Sequence, residues 1–262
     1  MLKIDDTGSG NPVVLLHGLT ATRRYVLHGS RLLAREGFRL ISYDARGHGE
    51  SGPGDGYEYA DLAADLVSVL EAAGIERAVL VGHSMGAATA VRVALERPEL
   101  VGGLVQITPA YAGHGYSDEA ALAYWDRLAD GLAADGVEGF MRAFEPPQDP
   151  RWRAAALKFT RQRIERHRDL RALAEAVRAV PRSEAFAGLE RLGEIDAPAL
   201  VVGSNDDSDP THPRAVAEEY ARRLPRAELV VEDEGEPPLA WQGAQLSRAI
   251  LEWLSRTGSS PA

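Results

Sequence analysis

Gly82-His83-Ser84-Met85-Gly86 follows the apolar run Ala78-Val79-Leu80-Val81 and opens the helical stretch 87–96. Strand, G-x-S-x-G and helix in that order is the arrangement that gives the pentapeptide its meaning. The glycines allow a tight, strained strand-to-helix turn that lifts the Ser84 hydroxyl onto the top of a sheet. The Met85 amide then stands at the positive end of the helix, where it can face a developing oxyanion. Serine in this setting reads as an activated nucleophile; the plainer alternative is a tight turn with an idle hydroxyl.

Outward from this elbow, short apolar runs alternate with amphipathic helical patterns, the signature of an α/β fold with a mostly parallel sheet flanked by helices. Candidate strands fall at 13–16, 39–43, 78–81, 103–107, 199–202 and 228–231, with a short opening strand near 2–4. The stretch 59–73 places Leu62, Leu66, Val69, Leu70 and Ala73 on one helical face. Helices are also expected at 213–224, with Pro213 suited to a first turn, and at 244–255. Between Ala110 and Glu194 the strand rhythm stops, and 117–144 and 151–180 read as helices broken at Glu145-Pro146-Pro147. The expected organisation is a core of 1–110 and 195–256, a helical cap at 111–194 and a frayed tail at 257–262.

A chain of 262 residues fits one large domain, or a domain with an insertion, and can bury a full core. The absence of cysteine excludes disulfides, thiol catalysis and cysteine-bound metal. The first ten residues lack the apolar segment of a signal peptide, and no stretch approaches the roughly 20 apolar residues that span a bilayer. A cytoplasmic location without a membrane partner is the expectation, as a monomer or homodimer. A net charge of -10 argues against nucleic acid. No metal-ligand cluster or phosphate-cradling loop is legible, so neither metal nor cofactor is expected.

Val13-Val14-Leu15-Leu16-His17-Gly18, the serine elbow, and Tyr43-Asp44-Ala45-Arg46-Gly47-His48-Gly49-Glu50-Ser51 together resemble the α/β-hydrolase superfamily, in its esterase, lipase and haloperoxidase-like branch. The resemblance covers nearly the whole chain. It implies that Leu19, after the His-Gly turn, donates an oxyanion-hole amide beside that of Met85. It implies that the 43–51 segment braces the loop near the nucleophile, and that the 111–194 insertion shapes the pocket. Ser84 excludes the branches that use an aspartate nucleophile.

A serine nucleophile needs a base, and the base usually needs an orienting carboxylate, in the chain order Ser, Asp, His for this fold. The acid is expected in Gly203-Ser204-Asn205-Asp206-Asp207-Ser208-Asp209-Pro210-Thr211-His212-Pro213. Two registers compete. Distance from Gly203 selects Asp206 and is slightly favoured; the resemblance of Asp209-Pro210-Thr211-His212-Pro213 to the family's D-P-x-H-P selects Asp209. The family's histidine turn reads Glu234-Gly235-Glu236-Pro237-Pro238 here, so Glu236 holds the histidine position and no histidine follows His212. Glu236 beside Asp206 would form a like-charge pair with one raised carboxyl, fit for general acid or base work. The competing base is His212, displaced by the three-residue insertion in its loop; its bland reading is packing at a helix start.

His17, His83, His114, Trp125 and Phe144 are the candidate pocket residues, although His17 and His83 also suit structural turns. His28 and His167 read as helix-surface residues. The stretch 151–171 carries eight Lys or Arg against Glu165 and Asp169, either a solvated helix paired to acidic neighbours or a rim for an anionic substrate. The expected partner is a small ester-like molecule, an anionic one on the second reading. Three functions stay open: a serine hydrolase of an ester, lactone or thioester; a lyase, cyclase or isomerase moving protons with Glu236; and a non-catalytic ligand-binding relative.

Overall fold

The computed structural model describes residues 1–258; of the tail expected to fray, residues 259–262 lie outside the described part. In chain order it contains β1 (Lys3–Thr7), β2 (Pro12–Leu16), α1 (Leu32–Arg35), β3 (Arg39–Asp44), α2 (Tyr59–Ala72), β4 (Ala78–His83), α3 (Met85–Glu96) and β5 (Val101–Ile107). There follow α4 (Glu119–Ala143), α5 (Pro150–Ile164), α6 (Leu170–Ala179), β6 (Ala199–Val202), α7 (Arg214–Arg223), β7 (Ala227–Val230) and α8 (Gly243–Arg256). The seven strands form one sheet in the order β1-β3-β2-β4-β5-β6-β7. Every pairing is parallel except that of β1 with β3.

Both faces of the central strands are covered, which is why they read as unbroken apolar runs. Val14 and Leu80 pack on one side with α2, α3 and α7, while Val13, Leu15, Val79 and Val81 pack on the other with α1 and α8. The last helix buries Leu246, Ile250, Trp253 and Leu254, the stripe its sequence presents. The inserted helices α4–α6 surround a small core of their own, with Leu128, Leu132, Phe140, Ile164, Leu173 and Val177 buried.

Two features of the insertion differ from the expectation. The continuous helix expected over 117–144 bends at Asp135 and Gly136, whose dihedrals are non-helical, and Gly131 and Gly139 then meet so closely that a Cβ on either would strike the other's backbone. The stretch 151–180 is also interrupted, because Asp169 accepts from the amides of Arg171 and Ala172 and starts α6 afresh.

At the crossing of α3 over β2, a Cβ on Gly86 would collide with the carbonyl oxygen of Leu16. Backbone, not a flexible side chain, would have to yield. Gly86→Ala is therefore expected to destabilise the fold by about 3 kcal/mol, the upper end for overpacking, read as a lowered urea midpoint.

Candidate active site

Ser84 follows β4 directly and caps α3 with φ 51° and ψ -109°, a backbone conformation that a side-chain-bearing residue rarely adopts. Such strain costs about 1–3 kcal/mol and persists when the surroundings over-determine it. Here the Ser84 amide donates to Ile107 across the sheet at 3.0 Å, and its carbonyl accepts from Ala87 and Ala88. That carbonyl points into the helix, so the Met85 amide projects from its N-terminus, where no intrahelical acceptor exists.

A second turn stands opposite. The Gly18 carbonyl accepts from Ala21 at 3.0 Å and from His17 Nδ1 at 2.8 Å. Because the peptide is trans, the Leu19 amide points to the opposite side from this pinned carbonyl. Gly18 is also a close approach: a Cβ there would lie 2.7 Å from His83 Nδ1. Leu19, Ser84 and Met85 border one cavity of about 170 Å³ between the sheet and the inserted helices.

The braces behind this cavity come from the 43–51 segment. Buried Asp44 accepts from the Arg23 amide at 2.8 Å, from the Arg23 guanidinium and from the Glu50 amide, while Ser51 Oγ donates to the Asp44 carbonyl. His17 Nε2 accepts from the Ala45 amide at 2.9 Å, which ties the two loops together. With both ring nitrogens spent, His17 belongs to this brace and to a small void behind the elbow, not to the lining of the Ser84 cavity for which it was a candidate. His83, His114, Trp125 and Phe144 do line that cavity, His114 at an exposed position. Phe140 joins them, as do Tyr59, Tyr111 and Tyr124, the last three unforeseen by sequence reasoning; Tyr59 lies on the buried side of α2, which reads from sequence as core.

The acid loop gives the clearest departure. Asp206 is exposed and accepts from the Arg214 amide at 2.7 Å, serving the start of α7. Asp209 instead meets His212: Nδ1 lies 2.9 Å from each Asp209 carboxylate oxygen, and Thr211 Oγ1 donates to the same carboxylate. Asp206, the slightly favoured register, has no histidine partner among the described residues, whereas Asp209 has one. The inserted residues are absorbed in turns in which the amides of Ser208 and Asp209 donate to the Asn205 carbonyl and that of His212 to Asp209. The loop is anchored by Glu232, which accepts from the Asn205 amide at 2.7 Å and from the Leu239 amide.

Asp209 and His212 side chains are 13% and 16% exposed, shielded enough for their pairing to matter. Burial opposes ionisation of Asp209, but the adjacent imidazole and the hydrogen bonds from His212 and Thr211 outweigh it and hold the carboxyl at about 2. An ionised Asp209 fixes the hydrogen on His212 Nδ1 and leaves Nε2 as the lone-pair nitrogen. His212 borders the cavity of Ser84, its ring 5.5 Å from that of His83. Burial, reinforced by His212, holds His83 well below the ordinary histidine value, so His83 stays neutral.

Glu236 is exposed in the turn after β7 and does not border the Ser84 cavity; neither does Asp206. The expected like-charge pair under the inserted helices is therefore corrected: one carboxylate starts α7 and the other faces solvent. Two of the eight cations are paired to acidic neighbours, Arg151 to Asp149 and Asp207 and Arg161 to Glu138, while Arg153, Lys158, Arg166, Arg168 and Arg171 are exposed. Among the described residues, no group of three or more His, Asp or Glu is placed to hold a metal, and no helix is long and apolar enough to cross a membrane.

His167 is buried, not on a helix surface, and His28 sits exposed in a turn with φ 47°. Both His167 ring nitrogens face carbonyls, Nδ1 those of Arg163 and Ile164, Nε2 that of Ala21. Burial and the neighbouring His17 hold the imidazole at about 4, so it is neutral in the fold. The unfolded chain takes up this proton near 6.5, and the folded chain does not until about 4. Stability is thus complete above 6.5 and is lost as pH falls from there towards 4, by on the order of 3 kcal/mol. Urea unfolding at stepped pH is expected to show this slope, and His167→Gln to flatten it.

Comparison with known proteins agrees with the geometry. Residues 11–244 match the family model described as alpha/beta hydrolase fold. A putative carbamate hydrolase, RutD of Rhizobium rhizogenes, is 30% identical over 238 residues, covering 88% of this chain and 87% of that protein. The AB hydrolase superfamily protein YisY of Bacillus subtilis is 38% identical over 92 residues, but this match spans 34% of that relative's length. The malate-bound structure of a thermophilic esterase from Thermogutta terrifontis superposes with a TM-score of 0.78 at 25% identity, covering 98% of this chain and 93% of that one.

Proposed function

Because the chain belongs to the α/β-hydrolase family, we propose that it is a serine hydrolase of a carboxylic ester, lactone or thioester, with Ser84 as nucleophile, His212 as base and Asp209 as the orienting acid. The observation that carries this reading is the Asp209–His212 contact at 2.9 Å on the wall of the cavity that Ser84 also borders. The order Ser, Asp, His is kept, with acid and base compressed into one turn. The inserted helices act as the cap that closes the pocket.

Ser84 Oγ attacks the acyl carbonyl as His212 Nε2 takes its proton. The carbonyl electron pair moves to oxygen, where the Leu19 and Met85 amides receive the negative charge. When the tetrahedral intermediate collapses, the C–O or C–S bond breaks and the imidazolium returns its proton to the leaving group. A water deprotonated by His212 then releases the acid and restores Ser84. Asp209 stays ionised throughout and stabilises the imidazolium. The esterase and carbamate hydrolase among the relatives support attack on an acyl carbonyl, while the exposure of Glu236 gives a Glu236-driven lyase or isomerase no support.

The test is a stopped-flow assay with p-nitrophenyl acetate, a lactone and an acyl thioester. The expected result is turnover that disappears in Ser84→Ala, with a nitrophenol burst of about one per chain if deacylation is slower. Absence of Ser84-dependent turnover across all three would contradict the reading.

A further inference from the structure

Arg163 stands apart from its cationic neighbours. It lies on α5 three residues after buried Thr160 and one before buried Ile164, so the helix turns its side chain inward. It borders the Ser84 cavity and also an adjoining one of about 120 Å³, lined by Asp209, His212 and His83. Nη2 donates to Thr160 Oγ1 at 3.2 Å, while Nε is buried without a hydrogen-bond partner. Among the described residues, no carboxylate lies within ion-pair distance of it. The carboxylate that acts on it, Asp209, is already committed to His212. Burial disfavours its charge and lowers its pKa from the ordinary arginine value.

A partly buried guanidinium whose Nε is shut off from solvent without an acceptor is costly, and a chain rich in carboxylates has left it without an ion pair among the described residues. The remaining wall is mostly apolar or aromatic, including Trp125, Leu128, Phe140 and Phe144. We infer that Arg163 is the anchor for a carboxylate on the substrate, so that the preferred substrate is an acyl ester, lactone or thioester bearing a free carboxylate. The planar fork of arginine matches the two oxygens of such a group. This inference rests on the hydrolase reading for its chemistry, but binding tests it without turnover.

The experiment is calorimetric binding of monomethyl glutarate and of dimethyl glutarate to the Ser84→Ala protein, repeated with Arg163→Met and Arg163→Lys added. The monoanion is expected to bind roughly 30-fold more tightly than the diester, a charge-assisted bond's worth of affinity. Arg163→Met should bring the two within about threefold, and Arg163→Lys should keep part of the preference. Melting curves show whether each variant is folded; should Arg163→Met fail to fold, the monoanion preference of the parent and of Arg163→Lys decides. Equal binding of both ligands by the parent, or a preference that persists in folded Arg163→Met, would overturn the inference. Anion preference without Ser84-dependent hydrolysis would keep the anchor and remove the hydrolase reading. Hydrolysis of neutral esters without anion preference would do the reverse.

Discussion

His212→Ala is expected to lower kcat/KM for an activated ester by roughly 10⁴-fold or more, while Glu236→Gln changes it by no more than about twofold. The first figure corresponds to about 5.5 kcal/mol of transition-state stabilisation. Without the His212 imidazole the Ser84 proton loses the carboxylate-supported acceptor on the cavity wall; among the described residues the other two wall histidines, His83 and His114, have no carboxylate within ion-pair distance. His83 is the nearest imidazole to His212, but it has no carboxylate partner of its own and burial disfavours its protonated form. Asp209→Asn should follow His212→Ala, because an amide no longer stabilises the imidazolium or fixes its tautomer. Asp206→Asn should not, because that side chain serves the start of α7. Steady-state assays of the four variants, at equal folded concentration, check the ranking.

Ser84→Ala is expected to cost roughly 10⁵-fold to 10⁶-fold in kcat, leaving the residual rate that an oxyanion hole and binding supply alone. The backbone bonds of residue 84 to Ile107, Ala87 and Ala88 do not involve the hydroxyl, so the elbow should survive. An unchanged melting temperature with lost turnover separates chemistry from folding. The double variant with His212→Ala should be little worse than Ser84→Ala, since nucleophile and base act as one unit.

The parallel sheet is legible in sequence because its central strands are buried on both faces and bounded by glycine-rich turns, as at Val13–Leu16 and Ala78–Val81. The elbow is legible because few backbones place G-x-S-x-G between strand and helix. The acid loop is not legible by counting, because residues 205–209 fold into turns that take up the extra length. What sequence does carry is the spacing: Asp209 and His212, three apart in a turn, meet side chain to side chain. Arg163 hides within a run of cations, and the Ala156, Thr160, Ile164 face of α5 is the signal that sets it apart. The bend in α4 hides for a similar reason, since Gly136 stands in a stretch whose composition otherwise favours a straight helix.

The rate of Ser84 phosphonylation by a fluorophosphonate, followed by intact mass in the parent, His212→Ala and Glu236→Gln proteins, tests the displaced base most directly. The expected result is rapid single labelling of the parent and of Glu236→Gln, with His212→Ala slower by roughly 10³-fold or more. Fast labelling of His212→Ala, or its loss in Glu236→Gln, would contradict a base supplied by the acid loop.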